Sequence, residues 1–290
     1  MYDIIIIGAG IAGLTSAIYA SRANKKVLVI EKSNYGGRIV SAPSVKNYPG
    51  IKEISGVDLA INLYEQAISF GTELIFETVK GFLNGDIKKV ITDKNTYECK
   101  SIIIATGLDR KTLNISGEKE LVGKGISYCA SCDGNFYKDK IVGVVGNGNT
   151  AIEDAMYLSD IASKVYIINK GDNLDVDKSN IEVINNSTVD KINSNDKLES
   201  IDINIPDGIK NIVLDGLFIS IGFESSNEEF ESTIKLDEQG YIIADNTHTN
   251  IEGIFAAGDC VKKDLRQLVT AASDGAIAAT EAIKYIVKNS

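Results

Sequence analysis

Gly8-Ala9-Gly10-Ile11-Ala12-Gly13 is the stretch that most narrows the folds open to this chain. It follows directly on Tyr2 to Ile7, an isoleucine-rich run that reads as a strand buried on both faces, and it opens an apolar helix through Leu14 to Ser21. The spacing is that of a dinucleotide-binding turn. Its glycines allow a tight bend, close approach of a pyrophosphate and tight helix–strand packing, while the helix N-terminus offers N–H groups and a positive dipole end to the phosphates. Val27 to Ile30 is the next strand and ends in Glu31, about twenty residues past the motif, where an acid grips a ribose 2′-OH. With strand, turn, helix, strand and acid in register, a mere glycine-rich turn is set aside.

The fingerprint returns later. Lys140 to Val145 reads as a strand, Gly146-x-Gly148-x-x-Ala151 comes next, and a helix runs from Ala151 to Leu158 before the strand Val165 to Ile168. The chain is therefore expected to be α/β, with two Rossmann-like dinucleotide-binding domains, and its 290 residues suit two modest cores. The second fingerprint is incomplete. An acid at position 169 would read the ribose of NAD, and arginines nearby would take the 2′-phosphate of NADP. The sequence supplies Asn169-Lys170-Gly171-Asp172-Asn173-Leu174-Asp175-Val176-Asp177 instead, so a 2′-phosphate would meet three acids and one lysine. Little room remains for a helix before the strand-like run Ile181 to Ile184, and the polar stretch Asn185 to Ser200 reads as a surface connection.

Between the two turns lies Cys129-Ala130-Ser131-Cys132-Asp133-Gly134. A Cys-x-x-Cys disulfide spans so short a loop that it can open and reform without dismantling the fold, and thiol pKa values are commonly lowered in such motifs. A dithiol beside nucleotide sites suggests electrons passed from a bound cofactor to a disulfide. Cys99 and Cys260 read as small buried hydrophobes. A four-cysteine zinc site would need all of them without the usual paired spacing, so no metal is expected. His248 is the single histidine, which excludes most triad and His-rich metal chemistry.

A net charge of −10 argues against a nucleic-acid partner. Ile4 to Ser21 carries no charge, but Gly8, Gly10 and Gly13 interrupt it and no basic segment precedes it. Neither a signal peptide nor a membrane span is expected, and a cytoplasmic location is the consequence.

Further stretches carry a family resemblance. Gly36-Gly37, Asn47-Tyr48-Pro49-Gly50, the buried run ending in Ala105-Thr106-Gly107, the Cys129–Gly134 block, Ala256-Ala257-Gly258-Asp259 and Arg266-Gln267 occur in order over nearly the full length. In this the chain resembles the low-molecular-weight thioredoxin reductases. The resemblance implies a discontinuous FAD-binding domain, residues 1–112 and 243–290, with residues 113–242 inserted as the nicotinamide-nucleotide-like domain carrying the dithiol. It implies that Gly8, Gly10, Gly13 and Glu31 hold the adenosine half of FAD. Gly36, Gly37 and Asn47 would lie along the flavin side, with Ala105, Thr106 and Gly107 beside them. Gly258, Asp259, Arg266 and Gln267 would close over the ribityl and isoalloxazine end. Cys132 would accept electrons from the flavin, Cys129 would attack the disulfide of thioredoxin, and Asp133 would protonate the leaving thiolate. A homodimer is also implied.

Departures from the family pattern matter. Ile11 stands in place of a proline, Arg38 in place of a glutamine beside the flavin, and Ser225-Ser226 in place of proline-asparagine. The His-Arg-Arg run with which NADPH-using members hold the 2′-phosphate is absent. In this the chain is most similar to the ferredoxin-dependent flavin thioredoxin reductases, which implies ferredoxin as donor. Weak use of NADH or NADPH through Gly146–Ala151, or a flavin redox sensor without turnover, are the alternatives.

Overall fold

The structure, a computed structural model, describes residues 1–42 and 44–289. The chain forms two compact units, Met1–Asp109 with Glu224–Ser290, and Arg110–Phe223.

The first unit is built on a seven-stranded sheet. Glu73–Phe76, Val27–Glu31, Tyr2–Ile7 and Thr96–Ile104 lie side by side and parallel. The long strand Thr96–Ile104 is shared: its first half pairs antiparallel with Lys88–Thr92, and its second half pairs parallel with Ile254–Ala256. Successive side chains on a strand point to opposite faces. Ile4 and Ile6 accordingly pack with Leu14 and Ala17 of the helix Ile11–Arg22 and with Ala279 of the helix Leu268–Lys288. Ile5 and Ile7 face the other way, onto Val90, Cys99 and Ile254. Each buried isoleucine contributes roughly 1.5–3 kcal/mol. Because both faces accept isoleucine, the apolar pattern alone does not fix the register of Tyr2–Ile7. The turn after it does: the Gly8 N–H donates to Ile30 O at 2.8 Å and the Ala105 N–H to Ile7 O at 2.8 Å.

The crossings between units fall at 109/110 and 223/224 rather than at 112/113 and 242/243. The larger correction, at the return, has a packing cause. Phe230, Ile234 and Ile242 are buried in the first unit's core, and the Phe230 ring stacks on Phe82 with centroids 5.8 Å apart.

The second unit holds a parallel five-stranded sheet in the order Ile181–Ile184, Lys164–Ile168, Ile141–Val145, Gly216–Ile219, Ile126–Ser127. One of its faces carries the helix Asn149–Ser159, through Ala151, Ala155 and Leu158. The other carries an antiparallel three-stranded sheet, Thr188–Ser194, Leu198–Ile205 and Gly208–Val213. This corrects the reading of Asn185 to Ser200 as a plain connection. Ile192 and Leu198 face the core while Lys191, Asp196 and Lys197 face water, so the segment is an amphipathic hairpin despite its polarity. Among the described residues no helix is long and apolar enough to cross a membrane.

Candidate redox and dinucleotide sites

The first glycine turn is shaped by contacts that only glycine tolerates. Gly8 has φ +104°, and a Cβ on it would lie 2.4 Å from Ala105 O; a Cβ on Gly13 would lie 1.9 Å from Gly8 O. Gly10 is different. It caps the helix with extended backbone, no side chain caps that end, and a Cβ there would meet nothing within 4 Å. Helix N–H groups thus open onto free space, with no acid in the first turn to oppose an anion. Glu31, nearly buried, accepts from the Ala9 N–H at 2.8 Å and from the Ser33 N–H at 3.0 Å, so it also pins the turn. The Gly36 N–H donates to Ala9 O at 2.7 Å, and Gly37 lies against Gly10. Gly8, Gly10, Gly13, Glu31, Gly36, Gly37 and Ala105 therefore form one place.

A second cluster in the same unit gathers charge. Arg38 Nη1 lies 3.4 Å from Asp259 Oδ2, and Arg266 donates through Nε to Asp259 O while its guanidinium sits 4.3 Å over the Tyr241 ring. Lys263 pairs with Asp274, which accepts from the Gly258 N–H at 3.0 Å. Asn47 Nδ2 donates to Gln267 Oε1 at 3.1 Å, and Gln267 caps the final helix. Burial pushes the Asp259 carboxyl up, against the pull of Arg38, Lys263 and Arg266. Among the described residues its Oδ1 is buried without a hydrogen-bond partner. An orphaned carboxylate oxygen accounts for itself if a hydroxyl-bearing ligand donates to it. Together with the open phosphate cradle at Gly10, this fits FAD.

Thr106, expected beside that cofactor, donates from Oγ1 to Asn227 Oδ1 at 2.8 Å, and Gly107 comes next with φ +70°. Asn227, fully buried, donates in turn to Gly240 O and Cys260 O. Sequence reading missed Asn227, Tyr241, Lys263 and Asp274, since nothing local marks them. Cys99 and Cys260 are buried free thiols; burial pushes Cys99 up to about 12 and raises Cys260 as well, so both are inert near neutrality.

In the second unit the Gly146–Ala151 turn also leads from a strand into a helix whose cap, Gly148, is extended, but Gly146 lacks the positive φ of Gly8. A Cβ on Gly146 would lie 2.5 Å from Ser220 O, Gly148 caps the helix with open space around it, and no side chain caps that end. The loop after the next strand, Lys164–Ile168, is altered. Asn169 is buried and turned onto its own loop: Nδ2 donates to Gly171 O at 2.9 Å and to Asn185 Oδ1 at 2.5 Å, and Oδ1 accepts from the Gly171 N–H at 3.0 Å. Residues 169–180 contain no helix, although the strands they join are parallel. Nearby, the Asp154 carboxyl accepts from Ser220 Oγ at 2.5 Å and is pushed up by burial.

Cys129 and Cys132 form a disulfide with Cα atoms 5.3 Å apart. Cys129 is half-buried and caps the short helix Ala130–Asp133; Cys132 is exposed. Before them, Ser127 is buried, and its Oγ accepts from the Cys129 N–H at 3.0 Å and lies 2.7 Å from Asp133 Oδ2. Tyr128 donates to the buried Glu118 at 2.6 Å, with Arg110 5.3 Å over its ring. Burial and the Glu118 carboxylate push the Tyr128 phenol up, so it remains a donor.

Comparison with known proteins places this arrangement. The pyridine nucleotide-disulphide oxidoreductase family model matches residues 2–275. A thioredoxin reductase from Peptoclostridium acidaminophilum is 41% identical, over 100% of this chain and 98% of that protein. The chain belongs to this family, in its thioredoxin reductase branch. The solved thioredoxin reductase of Streptococcus pyogenes superposes with a TM-score of 0.88 at 38% identity, covering 99% of each chain. A Ferredoxin-Flavin Thioredoxin Reductase from Clostridium acetobutylicum superposes with a TM-score of 0.57 at 36% identity, covering 99% of this chain and 98% of that one. As a thioredoxin reductase-type oxidoreductase the protein is a flavoprotein that binds FAD, and Cys129–Cys132 is its disulfide centre.

Proposed function

We propose that this flavoprotein reduces the disulfide of thioredoxin through Cys129 and Cys132, and that it draws its electrons from ferredoxin rather than from a nicotinamide dinucleotide. The observation that carries the choice of donor is Asn169. Its amide is spent on Gly171 and Asn185, so neither an acid nor an arginine stands where a nicotinamide nucleotide's ribose or 2′-phosphate would be read. Asp172, Asp175 and Asp177 add like charge beside it. A solved relative named for ferredoxin supports the same direction.

The energetics are favourable. Plant-type ferredoxins lie near about −400 mV and thioredoxin near about −270 mV, a drop of roughly 6 kcal/mol for two electrons. Bound FAD supplies the conversion of single electrons into a pair. Gly8, Gly10, Gly13, Glu31, Gly36 and Gly37 would hold its nucleotide half. Asp259, with Arg38, Arg266, Asn47 and Gln267 around it, would hold the ribityl and flavin end; Ala105, Thr106, Gly107 and Gly258 would complete the pocket.

On the protein side, Cys132 takes the electrons as the internal disulfide opens. Cys129 thiolate attacks a sulfur of thioredoxin's disulfide, and Asp133 gives its proton to the sulfur that leaves. Cys132 then attacks Cys129 Sγ, which restores the internal disulfide and frees the second thioredoxin sulfur. The enzyme is proposed to act as a cytoplasmic homodimer.

A second reading, use of NADH or NADPH, is favoured by the uncapped helix end and the open space at Gly148. Anaerobic spectra separate the two. The purified protein is mixed with NADPH, NADH or chemically reduced ferredoxin, and bleaching of the visible flavin band is followed. Bleaching by ferredoxin alone is expected, and rapid bleaching by NADPH would overturn the choice of donor. Cys132→Ser should still bleach but fail to reduce thioredoxin; unchanged turnover in that variant removes the dithiol assignment.

A further inference from the structure

We infer that Ser127 is a positioning residue that lets Asp133 give and take a proton without moving, by rotating one hydroxyl hydrogen between two fixed acceptors. The inference rests on Asp133 being the proton donor for the leaving thiolate. The geometry is local and closed. Ser127 ends the strand Ile126–Ser127 and is buried, so its Oγ has a fixed place at the base of the dithiol loop. That oxygen has three neighbours: the Cys129 N–H at 3.0 Å, Asp133 Oδ2 at 2.7 Å and Cys129 O at 3.3 Å. A serine hydroxyl has one hydrogen to donate and two lone pairs to accept with.

With Asp133 ionised, the hydroxyl hydrogen goes to Asp133 Oδ2, the shorter contact and a charge-assisted one. With Asp133 protonated, the carboxyl O–H turns onto Ser127 Oγ, and the serine hydrogen swings to Cys129 O. The Cys129 N–H stays bonded throughout. Both states of the half-buried acid therefore leave the buried Ser127 hydroxyl with its donor and acceptors met, and an unmet polar group there would be costly.

The proton balance over one turnover uses this. The reduced centre starts as Cys129 thiolate, Cys132 thiol and protonated Asp133. Cys129 Sγ bonds to one partner sulfur, the partner S–S bond breaks, and the leaving sulfur takes the Asp133 proton. Asp133, now ionised and held by Ser127, takes the Cys132 proton. Cys132 thiolate attacks Cys129 Sγ, the internal disulfide forms, and the second partner thiolate leaves and takes a proton from water. Two electrons pass from the dithiol to the partner, and Asp133 ends protonated as it began.

The test exploits leaving-group acidity, since a sulfur that leaves as a stable thiolate needs no proton donor. Dithionite-reduced holoenzyme is mixed with an aromatic disulfide of low thiol pKa or with oxidised thioredoxin, in wild type, Ser127→Ala, Ser127→Thr and Asp133→Asn. Flavin content and far-UV circular dichroism establish that each variant is folded. Ser127→Ala is expected to slow thioredoxin reduction about tenfold or more, to leave the aromatic disulfide within about twofold, and to move the alkaline limb of the thioredoxin pH–rate profile upward. Ser127→Thr restores most of the rate. Equal slowing with both disulfides, or an unmoved pH profile in Ser127→Ala while Asp133→Asn is slowed with thioredoxin only, overturns the role of Ser127. An Asp133→Asn variant as fast as wild type with thioredoxin overturns the acid's role itself, and the serine's with it.

Discussion

Asn169 donates its side-chain amide to Asn185 Oδ1 at 2.5 Å, and the same Asn185 oxygen accepts from the Leu174 N–H at 3.2 Å. The two asparagines close the loop that stands where a nucleotide-reading segment would be, and they do it with groups that would otherwise be buried and unmet. In a region where the strands are parallel but no helix joins them, these bonds take over the work of ordering the connection.

Removing that amide should therefore be a stability change, not a change of donor. Asn169→Ala leaves the Gly171 N–H without its acceptor and takes one of two donors from Gly171 O and from Asn185 Oδ1, at a cost of about 1–3 kcal/mol. A lower urea midpoint with an unchanged flavin spectrum and no gain of NADPH bleaching is expected. A variant that acquires NADPH reduction would mean that the loop masks a working site.

Two glycines of the first turn should separate folding from cofactor binding. Gly13→Ala places a methyl 1.9 Å from Gly8 O, so strand or helix must shift, and a loss of about 1–3 kcal/mol is expected along with most of the bound flavin. Gly10→Ala meets no protein atom within 4 Å and keeps an ordinary φ of −73°, so the fold should be unaffected within about 1 kcal/mol. The methyl nonetheless enters the space in front of the uncapped helix. FAD affinity should fall at least about tenfold, measured by fluorescence on titrating apoprotein. Full flavin affinity in Gly10→Ala would displace the phosphate from that position.

Asp3 is one of the carboxyls expected to make the first unit sensitive to acid. Burial pushes its carboxyl up, but Lys100 Nζ at 2.8 Å and the Lys26 N–H at 2.9 Å outweigh this and hold it below the ordinary value. A depressed carboxyl contributes stability above its unfolded pKa of about 4, and that contribution is lost as pH falls through the lower folded value. Lys100 is partly solvated, so the contribution is about 0.5–1 kcal/mol at neutral pH. Asp3→Asn should lower the urea midpoint at pH 7, and the gap to wild type should narrow below about pH 4. A gap that widens in acid would contradict the assignment.

Much of this protein is written in short stretches. Gly8–Gly13 after an isoleucine run, Glu31 a strand later, and two cysteines three apart each carry a local constraint, because a turn, a strand end or a two-residue loop leaves few residue types workable. Those features gave the α/β class, the repeated dinucleotide unit and the dithiol without reference to anything distant. Other features depend on which way a side chain points and on what lies far along the chain, and only the tertiary structure decided them. Asn169 could have faced outward to a ligand, yet it turns inward onto Asn185. Asn185 to Ser200 is polar enough to pass for a connection, but Ile192 and Leu198 find a core to bury against and make it a hairpin. Phe230 draws residues 224–242 back into the first unit through Phe82, a partner no local pattern announces. Ser127 shows the same limit at the dithiol: a strand-end serine is unremarkable in sequence, and it becomes a partner of Asp133 only because the chain curls back over six residues to bring the two together.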